Sequence, residues 1–213
     1  MSQLPSIQEL QASFIEAELQ YLHAYIYRQG ELYSSDEQHF EELDKLQAPE
    51  IPEVIFPYSD LLTQLPEEHK KEMRFVLILT LAPYIRPQLL DMLAVPGKAD
   101  KEYSEYGKAR NPFNSAFIPT IQTALFLLER GKLNRRFQLS ALFGKESFLI
   151  KQGIIELESP PQNNRPLNQI LRLSAEAQSL FIHGKAALPD YSASFPARQI
   201  TTLQEWSDLV LPA

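Results

Sequence analysis

The sequence predicts a mainly α-helical protein with one small β-hairpin. Three observations lead there. Apolar residues recur at three- and four-residue spacing through most of the chain. Only 7 glycines occur, and most of the 16 prolines stand between periodic segments rather than inside them. Two short strand-like pieces appear late in the chain, on either side of a loop rich in Asn and Pro.

The first helix is announced by Ser6-Ile7-Gln8-Glu9, a capping box in which Ser6 is the N-cap and Glu9 reaches back. Ile7, Leu10, Phe14, Ala17, Tyr21 and Tyr25 then form an apolar stripe, and Gly30 is expected to end the helix. The stripe needs a partner helix, in this chain or in another subunit. Residues 31–58 are acidic and then proline-rich, and are read as a connector running over the surface with at most one short helix. Ser59 to Leu65 is expected to make a short helix. A stronger one is expected to start with Pro66 at its first position and Glu67 and Glu68 in its first turn. The run from Phe75 to Ile85 is apolar all round, which marks the most buried helix. It is too short to cross a bilayer and contains Pro83. "QLLDMLAV" follows as another short helix, halted by Pro96-Gly97.

Residues 97–115 are polar and turn-rich, the best internal boundary. Beyond them, "TIQTALFLLERG" opens at Pro119 or Thr120 and is closed by Gly131. A second helix ends at Gly144 and a third, "KESFLIKQG", at Gly153. Strands are expected at Ile154–Ser159 and Asn168–Ser174, and Ser174 caps a last helix, "AEAQSLFIHG". Three short helices followed by a hairpin with an irregular tip is the order of a winged helix-turn-helix. The expected organisation is a helical region over 1–110, a winged-helix-like domain over 111–184, and a linker over 185–213.

Composition removes several function classes. With 20 Lys+Arg against 27 Asp+Glu, the formal charge of -7 opposes phosphate backbones, so nucleic acid is disfavoured as a partner. There are no cysteines, which excludes disulfides, thiolate nucleophiles and cysteine-ligated metals and suits a reducing cytoplasm. The N-terminus lacks the pattern of a signal peptide. His23, His39, His69 and His183 are scattered without metal-ligand spacing. The acidic run from Asp36 to Asp44 reads as solvated, because nothing fixes its carboxylates in a pocket. Ser140 and Ser147 lack a nucleophile elbow, and no Gly-Lys pair has the spacing of a phosphate-binding loop: Lys145, for instance, is followed by Glu146. No enzyme is expected in this chain, with no catalytic, metal or cofactor residues.

In a DNA-binding winged helix the third helix presents polar and basic groups to the major groove. Arg135, Arg136, Lys145, Lys151 and Arg165 are the candidates for such a contact surface. Phe148, Leu149 and Ile150 are consecutive in that helix, which leaves a poor readout surface. A protein contact is the better expectation, with a free-standing transcription regulator or a structural adaptor as alternatives.

Several segments together carry a resemblance: "LILTLAP" and "RPQLLDML", "FIPTIQTALFLLERGKLNRR", "LIKQGIIEL", "NQILRLSAEAQSLFIHG" and "FPARQITTLQEWSDLVLPA". Over residues 66–213 the chain resembles the N-terminal half of bacterial AAA+ ATPases, some encoded with contractile injection systems. In that group a helical region and a winged-helix domain precede the ATPase core. The resemblance implies a cytoplasmic, non-catalytic N-terminal domain for substrate engagement, assembly or regulation. It also implies an AAA+ core in cis, a hexameric ring, and ATP with Mg on that missing core. Trp206, Asp208, Leu209, Val210 and Leu211 are then the linker entering the core. Locally, Thr202-Leu203-Gln204-Glu205 is a second capping box, so a short helix is expected from Leu203. The alternative is that this apolar segment docks on its own domain.

Overall fold

The computed structural model describes residues 5–34, 40–93, 107, 109–110, 117–159 and 165–184. It is mainly helical. Helix α1 (Ile7–Ser34) is followed by a 3-10 turn at Phe40–Lys45, α2 (Pro57–Gln64), α3 (Lys70–Ile85) and a 3-10 turn at Pro87–Leu93. Strands β1 (Ala109–Arg110) and β2 (Phe117–Ile118) pair antiparallel ahead of α4 (Ile121–Glu129), α5 (Leu133–Ser140) and the four-residue α6 (Phe148–Lys151). An antiparallel hairpin of β3 (Ile155–Glu158) and β4 (Ile170–Leu173) precedes α7 (Ala175–His183).

The local signals at helix starts act as their chemistry requires. Ser6 N–H donates to Glu9 Oε2 at 2.7 Å, and Glu9 N–H donates to Ser6 Oγ at 3.2 Å. Thr120 caps α4 by accepting from the Thr123 amide, while the Thr120 amide donates to Thr123 Oγ1 at 3.0 Å. Ser174 accepts from the Ala177 amide at 3.2 Å, and Gly184 closes α7 in the left-handed region with its N–H on Leu180 O.

Helix α1 does not stop at Gly30. It continues to Ser34, because Leu32 one turn on from Gln29 is buried in the core. Tertiary packing there outweighs the ~1 kcal/mol that a mid-helix glycine costs. Helix α3 starts at Lys70, not Pro66. Leu65 dives into the core at the end of α2, and the reversal runs through His69 in the left-handed region (φ 61) before the helix can propagate. As the apolar run implies, α3 is the central helix: Met73 and every residue from Phe75 to Ala82 are buried.

The core face of α1 is rotated from the expected stripe: Phe14 and Tyr25 are buried, but Ile7 is exposed, Leu10, Ala17 and Tyr21 are only partly buried, and Leu19 and Leu22 take their place. That face finds its partner inside the chain, in one apolar core with Leu77 and Leu79 of α3, Leu125 and Leu127 of α4, Leu171 of β4, and Phe181 of α7. Tyr25 stacks tilted on Phe75 at 4.7 Å between ring centroids, and Tyr58 meets Phe181 edge-on at 5.3 Å. The acidic connector is strapped to this body by Leu43 and Phe56, both buried, and by ion pairs from Arg28 to Glu42 and Arg130 to Asp44.

The hairpin is fastened to the start of α4. Leu171 N–H donates to Pro119 O and Ile121 N–H to Gln169 O, each at 3.0 Å, with Thr120 and Ile170 bridged between them. Gly107 closes over the same point in a left-handed conformation (φ +59), and its carbonyl accepts from Thr120 Oγ1. A Cβ on Gly107 would overlap the Cβ of Gln122 and lie 2.7 Å from Thr120 Oγ1. Gly107→Ala is therefore expected to destabilise the fold by about 2 kcal/mol, combining overpacking with backbone strain. Denaturant melts of the two proteins measure it, and an unchanged midpoint would contradict this account.

Candidate functional site

The five basic residues singled out in the sequence do not share one fate. Arg135 and Arg136 lie on α5 and turn back onto the protein. Arg135 Nε donates to Leu128 O and its Nη2 to Glu72 Oε1, both at 2.8 Å. Arg136 pairs with Glu129 and donates to Gln122 Oε1. These bonds have a structural purpose: Leu128 O is one of the C-terminal carbonyls of α4 that the helix itself cannot satisfy. Tyr25 Oη donates to its neighbour Leu127 O at 3.1 Å. Lys151 reaches Glu146 at 2.9 Å on an open surface. Lys145 and Arg165 are exposed, one before α6 and the other beside the hairpin loop. The positive charge of this region is thus largely matched by neighbouring carboxylates. Trp206, Asp208, Leu209, Val210 and Leu211 lie outside the described residues.

The sequence pattern did not single out the outer face of α5. Leu133 and Phe137, four residues apart, are 63% and 66% exposed, with Ala141 exposed one turn further on. Residues so spaced share a helix face. The signal was present as an apolar pair out of register with Leu139, the one residue of α5 that is buried.

Two polar clusters tie the helices. Gln11 of α1 donates through Nε2 to Phe181 O at 2.7 Å, and its Oε1 accepts from Tyr58 N–H at 3.2 Å. One side chain thereby satisfies an end of α7 and an end of α2. Deeper in, Arg74 of α3 holds Glu18 of α1, its Nε lying 3.1 and 3.2 Å from the two carboxylate oxygens while Nη2 reaches Oε1 and also Pro49 O. The Glu18 side chain is fully buried, while that of Arg74 stays 15% exposed. Burial raises the Glu18 carboxyl above its ordinary value of 4.5, against the lowering effect of Arg74. Tyr58 Oη faces Glu18 without reaching hydrogen-bond geometry, and burial drives that phenol well above 10.0. Burial likewise pushes Tyr21 up to about 12.

No group of three or more His, Asp or Glu side chains converges as a metal site among the described residues. No single helix among them is long and apolar enough to cross a membrane. His69 lies at the start of α3, 3.9 Å from Glu68, and His183 ends α7. A groove of about 500 Å³ opens where α1 passes the C-terminal end of α3 and α7. No family model matches the sequence, and neither a curated protein nor a solved structure matches it.

Two outcomes follow from the buried pair. Arg74→Ala strands an unpaired carboxylate and is expected to cost about 3 kcal/mol or more in a urea melt. The proton linkage has a definite sign, since the folded state holds the Glu18 proton more tightly than the unfolded chain. The stability this group contributes is full below 4.5 and is lost as pH rises through its raised folded value. Measured against Glu18→Gln at each pH, the parent should lose relative stability from pH 4.5 upward. A constant difference would refute it.

Proposed function

We propose that this chain is a non-catalytic N-terminal module of an AAA+ ATPase, a helical region joined to a winged-helix-like domain. It engages a protein client or partner, or takes part in assembling or regulating the ring. One observation carries the protein-contact part of the reading: α5 turns Leu133 and Phe137 outward while its two arginines are held inward by Glu72 and Glu129. A face that grips a nucleic-acid backbone needs the opposite arrangement, with its arginines turned outward to phosphates. An exposed aromatic and leucine on one helix face is the chemistry of a protein contact. The order of three helices and a hairpin, with the hairpin bonded to the start of α4, supports the winged-helix part. The motor itself rests on the sequence resemblance.

The decisive observation is the reading frame beyond Ala213, where this reading expects a GxxxxGK[ST] phosphate loop. The 213-residue chain alone should turn over no ATP above a heat-killed control and retain no duplex DNA at low salt. Hydrolysis, or salt-sensitive DNA binding, would overturn the proposal. The double variant Leu133→Ser/Phe137→Ser should melt within about 0.5 kcal/mol of the parent, as surface positions do. A larger loss would mean that the pair packs against the protein's own body and is not a free contact face.

A further inference from the structure

The groove between α1, the end of α3 and α7 has an occupant of suitable chemistry within the same polypeptide. Its buried side is formed by Ile15 and Leu19 of α1 and Phe181 of α7. Ala12 and Ile85 line it from two different helices, and both are exposed. Arg86 and Glu16 border it as an ion pair at 2.6 Å, with the arginine side chain 56% exposed. Within the groove, Gln11 is already committed to Phe181 O and the Tyr58 amide, so it asks nothing of a ligand. The site accordingly offers an apolar floor edged by a satisfied ion pair and by Gln8 and Gln88, and suits an apolar anchor.

We propose that this groove receives residues 203–211 of the same chain, "LQEWSDLVL", with Trp206 as the anchor. Three considerations select that segment. The first is continuity: Phe181 and Ile182 line the groove, and the described chain ends two residues further on at Gly184. The second is reach. Residues 185–202 can span up to about 60 Å when extended, and a tether of this kind holds its far end at about millimolar effective concentration. The third is chemistry. A helix beginning at Leu203 aligns Leu203, Trp206 and Val210 at i, i+3 and i+7, the spacing of a helix laid in a groove. The inference stands independently of the AAA+ reading, since a free-standing chain could seat the same segment.

Trp206 is the chain's sole tryptophan, so its fluorescence reports on this segment alone. In the full chain its emission should be blue-shifted and its quenching by acrylamide several-fold weaker than in the urea-unfolded chain. Ala12→Arg and Ile85→Glu block the groove from two different helices without removing a fully buried side chain. Each should red-shift the emission and restore quenching, with far-UV circular dichroism unchanged. A tryptophan as exposed in the parent as in urea would overturn the proposal. So would a protected tryptophan that neither variant disturbs, because the segment would then be seated elsewhere. Protection that disappears on dilution would also overturn it, by showing that the occupant comes from a second copy.

Discussion

The buried bond between Glu18 and Arg74 is the constraint on which the arrangement of the first three helices depends. A carboxylate taken entirely out of water is tolerable only with a partner in good geometry, and the planar guanidinium supplies a forked one. Because the two residues are separated by 56 positions, their bond sets the rotation of α1 against α3. Arg74 also holds Pro49 O and lies over the ring of Phe14 at 5.9 Å, so the same group pins the acidic connector and an aromatic cluster. Replacing both partners by apolar residues of similar volume could be tolerated energetically, but it would free that rotation.

From this pair outward, the fold is closed by side chains that complete helix ends. Tyr25 and Arg135 take the last carbonyls of α4, and Gln11 joins α7 to α2. Each such bond satisfies a group that would otherwise be buried unpaired, which costs about 1–3 kcal/mol. The result bears on function. Arginines that look available for a polyanion are spent on the protein's own geometry, and the outer face of α5 is left apolar. The same architecture leaves a groove beside α7, where the helices diverge around a side lined by Ile15, Leu19 and Phe181.

Much of the fold was legible because its signals are local. Ser6 with Glu9, Thr120 and Ser174 act on amides within three residues, so their caps need no knowledge of the rest of the chain. The hairpin was legible from its strand pieces, and α3 from its unbroken apolar run. The end of α1 and the start of α3 were misread for one shared reason. Gly30 and Pro66 are local punctuation, and burial of Leu32 and Leu65 decided against it. The contact surface was harder still. Arg135 and Arg136 have the same charge whether they face solvent or Glu72 and Glu129, and only the packing of α5 against α3 and α4 chooses.

The sequence by itself determined the helical class, the capped starts, the late β3–β4 hairpin, the net negative charge, and the lack of thiol chemistry, but not the short pairing of β1 with β2. These follow from short-range backbone chemistry and from composition, neither of which needs a fold. Only the tertiary structure decided that α1 packs one face into this chain's own core, that Glu18 is buried against Arg74, and that Leu133 and Phe137 remain outside. Those outcomes depend on groups brought together across dozens of residues, where desolvation and pairing are set by the neighbours a side chain meets.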